Sequence, residues 1–169
     1  MTDYKTQDLP DGPVTILQAT DILMVTRDPS GTPTDYYVEV EDFAIKKNFT
    51  PVITGTTAAG AGTYSAQLGR SSQIGDVVFF KIALVWTGHT GTGNMTITGL
   101  PTTSAGDSIV GISAGRWGNI TLPAIGDKVL AYIGASGTTI TLNSIASGAP
   151  AALAMDAAGS IYLTAFYFV

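Results

Sequence analysis

The chain contains 169 residues, of which 12% are charged, carries a net charge of −5 and lacks cysteine. This length fits one globular domain with a small appendage. The missing cysteine excludes a disulfide framework and a thiolate metal site, and no apolar run reaches the about 20 residues of a membrane-spanning helix. The polar, acidic start lacks the features of a signal peptide, so we expect synthesis in the cytoplasm and no membrane insertion.

Charge divides the chain near Thr50-Pro51. Residues 1–50 contain nine acidic and four basic side chains, a net charge of −5, whereas residues 51–169 contain four of each. So few charges in the longer region, against roughly one-quarter in a typical soluble domain, predict a surface that is made of Ser, Thr, Gly and Asn or is covered by neighbours in an assembly. An acidic chain with scattered bases also lacks the basic surface that nucleic acid requires. We therefore predict an N-terminal arm with an attachment hairpin over 1–50 and a β-rich domain over 51–169, neither of which binds nucleic acid.

The first region begins with an arm and continues with short elements. Met1 to Ala19 contains a cluster of turn residues, Leu9 to Pro13, which precludes regular structure through its middle, and we predict an extended arm. Two short runs, Ile22 to Thr26 and Asp35 to Val40, flank a Pro-Ser-Gly turn and predict a small hairpin. Residues 41–47 have acids first and bases last, which favours one or two helical turns.

The most apolar stretch is Val77 to Trp86, which is rich in Val, Ile and aromatic residues and broken only by Lys81. Both alternating faces are apolar, a pattern typical of a strand buried in mid-sheet or against a partner. A glycine-rich segment, His89 to Gly93, follows, and then Asn94 to Gly99 alternates apolar and Thr side chains. We predict an antiparallel hairpin of these two strands with the glycine-rich segment as its tip.

Turn residues recur at short intervals after Thr50, and no segment shows an apolar period of 3.6 residues. The pattern predicts eight short strands, the two above and six more, which favours an all-β, jelly-roll-like antiparallel β-sandwich. The six further strands are Thr63 to Gln67, Ile109 to Ser113, Asn119 to Leu122, Lys128 to Gly134, Thr138 to Asn143 and Ser160 to Phe168.

The final strand is apolar on both faces and contains Phe166 and Phe168. An exposed apolar strand of this kind aggregates unless it is covered. Two placements remain open: a central strand of the sandwich, or part of an interface between subunits that includes Phe166 and Phe168.

Residues suited to catalysis or metal binding are few. His89 is the single histidine, so neither a histidine-based triad nor a two-histidine metal site is available. The aspartates after residue 50 are isolated along the sequence and mostly follow glycine, as in ordinary turns, and the acidic arm lacks the spacing of a calcium loop. The sequence therefore predicts no enzymatic activity, no metal and no cofactor.

Two places offer surface contacts to a ligand. Arg116-Trp117, between two glycines, combines a guanidinium with an indole face that could stack on a sugar ring; the alternative for Trp117 is packing at a sheet end. His89, in its Gly/Thr loop, is either an ordinary exposed loop residue or a contact on the surface of a particle.

Several features together resemble a known family. They are Tyr64 after a glycine, Gln67, Ile74-Gly75 before the apolar strand, Gly91-Thr92-Gly93, and Ile97-Thr98-Gly99-Leu100-Pro101. The pattern is similar to a β-rich domain of tailed-bacteriophage virion proteins, which is seen in tail fibres and head-surface proteins. Residues 1–50 resemble the short N-terminal attachment segments of the same proteins.

The resemblance implies a non-enzymatic structural protein on the surface of a phage particle, acting as a homotrimer. Because the sequence shows neither a heptad run nor a shaft repeat, we expect a capsid decoration or cement protein bound to the major capsid protein or another virion protein. Attachment is expected through apolar side chains of the arm, namely Tyr4, Leu9, Ile16 and Leu17.

Two alternatives stay open. The first is a short tail-fibre or receptor-binding tip that contacts host surface glycans through His89, Arg116 and Trp117. The second is a free carbohydrate-binding module.

Overall fold

A computed structural model of the chain describes residues 22–27, 34–39, 45–106, 109–124, 126–145 and 149–169. The chain forms two compact units, Met1–Ala44 and Ile45–Val169, and every regular element of the described residues is a β-strand. Within these ranges no helix is long and apolar enough to cross a membrane. The predicted arm and its attachment side chains, Tyr4, Leu9, Ile16 and Leu17, lie outside the described residues.

The first unit contains strands β1 (Ile22–Arg27) and β2 (Thr34–Glu39), which pair antiparallel. The register sets Ile22 opposite Glu39 and Arg27 opposite Thr34. β-Branched and aromatic residues dominate both strands, as strand propensity favours, and the predicted hairpin is confirmed.

The second unit contains ten strands in one curled antiparallel sheet, which confirms the predicted all-β antiparallel fold. Their order is β3, β5, β6, β12, β8, β9, β10, β7 and β4, and β11 pairs with β10 outside this order. The strands are β3 (Ile45–Phe49), β4 (Val52–Gly55), β5 (Gly62–Ile74), β6 (Val77–His89), β7 (Met95–Thr98), β8 (Val110–Gly118), β9 (Lys128–Ile133), β10 (Ile140–Ile145), β11 (Ala151–Ala152) and β12 (Gly159–Phe168).

Strand β3 occupies part of the segment predicted as helical. Ile45 pairs with Gln73 and Phe49 with Gly69, so this strand is hydrogen-bonded along β5. The helical prediction is wrong over residues 45–47, because a favourable charge order at helix ends is a small term, about 0.3–1 kcal/mol, that strand pairing easily exceeds. Residues 45–49 therefore belong to the second unit.

The central hairpin also differs from the prediction. Strand β6 pairs with β5 across the two-residue turn Gly75-Asp76 and with β12 on its other side, whereas β7 pairs with β4 and β10. The predicted pairing of Val77–Trp86 with Asn94–Gly99 is therefore wrong. Gly75 has a φ of +56°, which glycine adopts without strain at the first position of a hairpin turn. The short Gly-Asp turn before β6, rather than the longer glycine-rich segment after it, makes the hairpin.

Strand β8 joins the two halves of the curled sheet, which are β3, β5, β6 and β12 on one side and β9, β10, β7 and β4 on the other. Its residues 110–112 pair with β9 and its residues 113–118 with β12. The register along β12 shifts between Tyr162 and Leu163, an irregularity of the kind that bends a strand. The change of partner brings side chains of both halves into one core.

The predicted strand Asn119 to Leu122 does not form. Asn119 has a φ of +54°, which ends β8. The Thr121 backbone N–H and hydroxyl then donate to the two carboxylate oxygens of Asp156, at 2.7 and 2.9 Å. This segment satisfies its polar groups through a side chain instead of a strand ladder.

The core is built from the inward side of the strands. On β6 the inward residues Val78, Phe80, Ile82, Leu84 and Trp86 are at most 5% exposed, and each such burial stabilises the fold by about 1.5–3 kcal/mol. They pack with inward residues of β7, β9, β10 and β12. The indole N–H of Trp86 donates to the Asp156 carbonyl at 3.0 Å, so this large side chain leaves no unpaired polar atom in the core.

Candidate functional site

The other side of strands β3, β5, β6, β12 and β8 forms a surface that we call the outer face. The strand registers place its side chains in rows that cross the sheet. From the Gly75-Asp76 turn, the rows are Ile74, Val77 and Phe168; Lys46, Ser72, Phe79 and Phe166; Asn48, Arg70, Lys81, Thr164 and Ser113; and Leu68, Ala83, Tyr162 and Arg116.

The outer face concentrates exposed apolar side chains. Of the nine large hydrophobic residues that are exposed among the described ones, six lie on it. Phe79 and Phe166 are in contact, with ring centroids 6.0 Å apart and a 41° tilt, yet they remain 48% and 57% exposed. Contiguous apolar surface of this kind marks an interaction site in a soluble protein.

The two predicted interface residues, Phe166 and Phe168, both lie on the outer face. Strand β12 is central in the sheet, between β6 and β8, and its inward residues Ile161, Leu163 and Tyr167 are fully buried. Phe168 is 53% exposed. The two placements left open from the sequence thus describe the two faces of the same strand, one in the core and the other uncovered.

Four cationic side chains share the outer face. Lys46, Arg70, Lys81 and Arg116 are all exposed. The Arg116 guanidinium lies over the Tyr162 ring, 5.8 Å from its centroid, a cation–π contact. The structure describes every residue of the four rows, and none of these residues is acidic. The face is therefore positively charged although the chain is acidic overall.

Two adjoining grooves run across this surface. The larger, about 660 Å³, is lined by Phe79 and Phe166 together with Ser72 and Ser113, and the smaller, about 470 Å³, by Leu68 and other residues of β6 and β12. Both grooves include Arg70, Lys81 and Thr164. The row of Arg70 and Lys81 therefore forms the boundary between a groove that contains Phe79 and Phe166 and a groove that contains Leu68 and Tyr162.

Arg116 and Trp117 point to opposite sides of the sheet. Arg116 is opposite Tyr162 on the outer face, whereas Trp117 is opposite the buried Ile161 and packs against the core. Adjacent residues of a strand alternate in this way. The two side chains therefore do not form one platform for a sugar ring, and of the pair only Arg116 belongs to the exposed surface.

Side chains from β5 and β6 hold the edge of strand β4. The Ile53 backbone N–H donates to the Tyr64 hydroxyl at 3.2 Å, and the Gln67 amide donates to the Pro51 carbonyl at 3.0 Å. His89 Nε2 lies 3.0 Å from the Ile53 carbonyl oxygen. Tyr64 and Gln67 are two of the residues that carry the family resemblance. Their hydrogen bonds stabilise the position of β4 at the edge of the sheet.

Both ring nitrogens of His89 are engaged within the chain. The Gly91 backbone N–H donates to Nδ1 at 2.9 Å, which leaves Nε2 to donate to Ile53. The ring is half-buried at the end of β6, not at the tip of a hairpin. Its polar atoms therefore serve the fold, and the structure does not bring His89 onto the outer face.

Burial shifts the acidity of two tyrosines. Desolvation raises the pKa of Tyr64, and the hydrogen bond from Ile53 opposes this. Desolvation likewise raises the pKa of Tyr167, opposed by its hydrogen bonds with Thr102. The Tyr167 hydroxyl donates to the Thr102 carbonyl at 3.0 Å and lies 2.9 Å from the Thr102 hydroxyl. Both phenols are fixed, structural hydrogen-bonding groups.

The carboxylates that the structure describes in the second unit are separated. Asp156 binds Thr121, Asp127 accepts from the Ala124 backbone N–H at 3.2 Å, and Asp76 lies in the β5–β6 turn. Across the described ranges no three His, Cys, Asp or Glu residues are grouped to hold a metal ion. The chemistry on offer is that of a binding surface, with cations, aromatic rings and hydroxyl groups.

Sequence reasoning missed the outer face as a unit. Phe166 and Phe168 were visible as an apolar pattern, and Arg116 as an isolated cation. Arg70 and Lys81 are eleven positions apart along the chain, and only the β5–β6 register makes them neighbours. The available signal was the Gly75-Asp76 turn, which would have fixed that register.

Comparisons with known proteins bear on the fold. No family model and no curated protein matches the chain. The fold is similar to that of the Dettilon tailspike protein in its crystal structure, with a TM-score of 0.62 and 22% sequence identity. The match covers 74% of this chain and 24% of that one, so the matched part of this chain spans about a quarter of the tailspike's length. The likeness shows a shared fold.

Proposed function

We propose that the chain is a structural component of a bacteriophage particle and that it is associated with the tail. The observation that supports this proposal is the fold similarity to a tailspike protein over 74% of the chain at a TM-score of 0.62. Tail association replaces the head location expected from the sequence as the first candidate, because the similar protein is a tailspike.

The surface of the second unit suits a protein that contacts other subunits in an assembly. Its outer face carries six exposed large hydrophobic side chains, and protein interfaces are enriched in aromatic residues and arginine. We propose that the protein assembles as a homotrimer with Phe166 and Phe168 at a contact between chains, and that its role is non-enzymatic. A cyclic trimer needs a surface that meets a different surface of the next copy.

Capsid decoration is the second candidate. It is favoured by the acidic residues 1–50, whose net charge of −5 distinguishes them from the neutral remainder and suits an attachment segment. In this case the partner is the major capsid protein or another head protein. A receptor-binding role of the tail, with Arg116 as a glycan contact, belongs to the first candidate.

Labelling of particles tests the location. Gold-labelled antibodies raised against the full chain are applied to purified phage particles and viewed by negative-stain electron microscopy. Label at the tail supports the first candidate, and label spread over the head supports decoration. Purified particles without label, from a lysate in which the chain is detected by mass spectrometry, contradict a structural role in the virion.

A further inference from the structure

The third row of the outer face, counted from the Gly75-Asp76 turn, contains two adjacent cations. Arg70 and Lys81 are direct partners in the β5–β6 register, and like charges placed opposite each other destabilise a sheet. Their other neighbours in the row are Asn48 beside Arg70 and Thr164 beside Lys81, neither of which carries a charge. The pair is therefore not neutralised along its row.

The neighbouring rows extend this surface in both directions. On one side lie the exposed Phe79 and Phe166, and on the other Leu68, which is 60% exposed, and Arg116. Along β5 the four rows extend from Leu68 to Ile74, seven residues or about 23 Å at about 3.3 Å per residue. An occupant of this face must offer carboxylates between two apolar contacts over a comparable length.

The same face of a second copy cannot be that occupant. A twofold contact would set the cations Arg70, Lys81 and Arg116 against the same face of the other copy, whose four rows contain no carboxylate side chain. An acidic segment complements the cations of this face, and the chain possesses one. Residues 1–21 contain four aspartates and one lysine, a net charge of −3.

Residues 1–21 also have suitable apolar side chains and are long enough to span the outer face. The four aspartates, Asp3, Asp8, Asp11 and Asp21, are interspersed with Tyr4, Leu9, Ile16 and Leu17. Fully extended, a segment of 21 residues reaches about 70 Å, more than the length of β5.

We infer that the outer face of one copy binds residues 1–21 of a second copy. In this arrangement aspartates lie against Arg70, Lys81 and Arg116, and apolar side chains of the segment cover the Phe79–Phe166 contact. The attachment segment predicted from the sequence then acts between copies of the chain. The inference stands independently of the proposed location on the particle.

The first test measures self-association of the full chain by sedimentation equilibrium at low and physiological salt. The Arg70→Glu/Lys81→Glu variant and the Asp3→Asn/Asp8→Asn/Asp11→Asn variant should each weaken the association constant by about tenfold or more, since charge pairs at an interface are lost. Lys128→Glu is the matched control, because Lys128 is an exposed cation of β9 outside the outer face, and it should change association by less than about twofold.

A charge swap gives the decisive result. Asp3→Lys/Asp8→Lys/Asp11→Lys combined with Arg70→Glu/Lys81→Glu should restore association, and higher salt should weaken the wild-type contact. Circular dichroism of each variant verifies that it is folded. The inference is overturned if the wild-type chain stays monomeric, if the outer-face variant associates like Lys128→Glu, or if neutral residues 1–21 leave association unchanged.

A peptide assay identifies the segment directly. A fluorescent peptide of residues 1–21 is titrated with the full chain bearing Asp3→Asn/Asp8→Asn/Asp11→Asn, whose outer face is expected to be free. Binding should disappear with the added Arg70→Glu/Lys81→Glu change. Equal binding of a scrambled peptide would overturn residues 1–21 as the occupant. A loss of particle labelling with intact self-association would refute the proposed function alone.

Discussion

The two faces of the strand pair β6–β12 differ sharply although they share the same backbone. On the inner face, Leu84 and Ile161 are completely buried, whereas on the outer face Phe79 and Phe166 remain about half exposed. Large apolar side chains occur on both sides. The comparison shows that the apolar pattern of a strand indicates which side chains can be buried. Only the packing of the whole sheet decides which face is buried within one chain.

The largest expected effect separates these faces by substitutions in one strand. Leu163→Ala on the inner face should lower the free energy of unfolding by about 2–5 kcal/mol, because it leaves a cavity in the core. Phe166→Ala on the outer face should cost less than about 1 kcal/mol in the monomer. Urea denaturation at several protein concentrations measures both.

Concentration dependence distinguishes the two substitutions further. The effect of Leu163→Ala should be independent of protein concentration, whereas that of Phe166→Ala should grow with concentration if association covers the outer face. Equal, concentration-independent losses for both variants would contradict the division between a core face and an association face.

Glycine substitutions should show the same contrast at a smaller scale. Gly159 is opposite Trp86, and an added Cβ would overlap the indole ring, so Gly159→Ala should destabilise by about 1–3 kcal/mol. Gly88 has no atom within 4 Å of such a Cβ and serves as the matched control. Gly88→Ala should be neutral or stabilising by about 0.4–1 kcal/mol. Thermal unfolding of both variants checks the pair, and a neutral Gly159→Ala would contradict the tight packing around Trp86.

Alkaline pH should lower the free energy of unfolding through two partly buried tyrosines, Tyr64 and Tyr167. Burial raises the pKa of Tyr64 and Tyr167 above 10.0, the ordinary value, so the folded chain retains two protons that the unfolded chain releases as pH rises through 10.0. Their contribution to stability is complete below that pH and declines above it. A double Tyr64→Phe/Tyr167→Phe variant should show a shallower decline of urea midpoint between neutral and alkaline pH, and an unchanged slope would contradict the role of these phenols.

The smallest expected effect is a stabilisation on the outer face. Lys81→Glu replaces the repulsion with Arg70 by an attraction and should stabilise the monomer by about 0.2–1 kcal/mol. The same change should weaken self-association, so stability and assembly move in opposite directions. Denaturation of dilute samples, compared with Lys128→Glu, checks the sign. A destabilised monomer would mean that Lys81 has a favourable contact in the folded chain.

The strands were largely predictable, and their partners were not. Val77–Trp86 and Ser160–Phe168 were recognisable from apolar and β-branched content, which is local information. Their pairing with each other joins Phe79 to Phe166 across a long sequence separation, and no local pattern specifies such a register. The β1–β2 hairpin was predictable because its strands are consecutive.

The candidate site was accessible only in fragments for the same reason. Arg116 could be singled out but not distinguished from Trp117, since the predicted strand ends at Ser113, whereas β8 continues to Gly118 and turns the two side chains to opposite faces. The role of Tyr64 and Gln67 at the β4 edge was likewise hidden. Their hydrogen bonds reach Ile53 and Pro51, whose position depends on how the sheet curls.

The central place of β12 has a consequence for synthesis of the protein. This strand comes last in the chain order, yet it lies between β6 and β8 in the sheet. While the chain leaves the ribosome, β6 has only β5 as a partner, and its other edge stays unpaired until residues about 70 to 90 positions later are made. Folding of the sheet is therefore expected to finish only once Gly159–Phe168 has left the ribosome, and the free edge of β6 is exposed to aggregation until this strand is inserted.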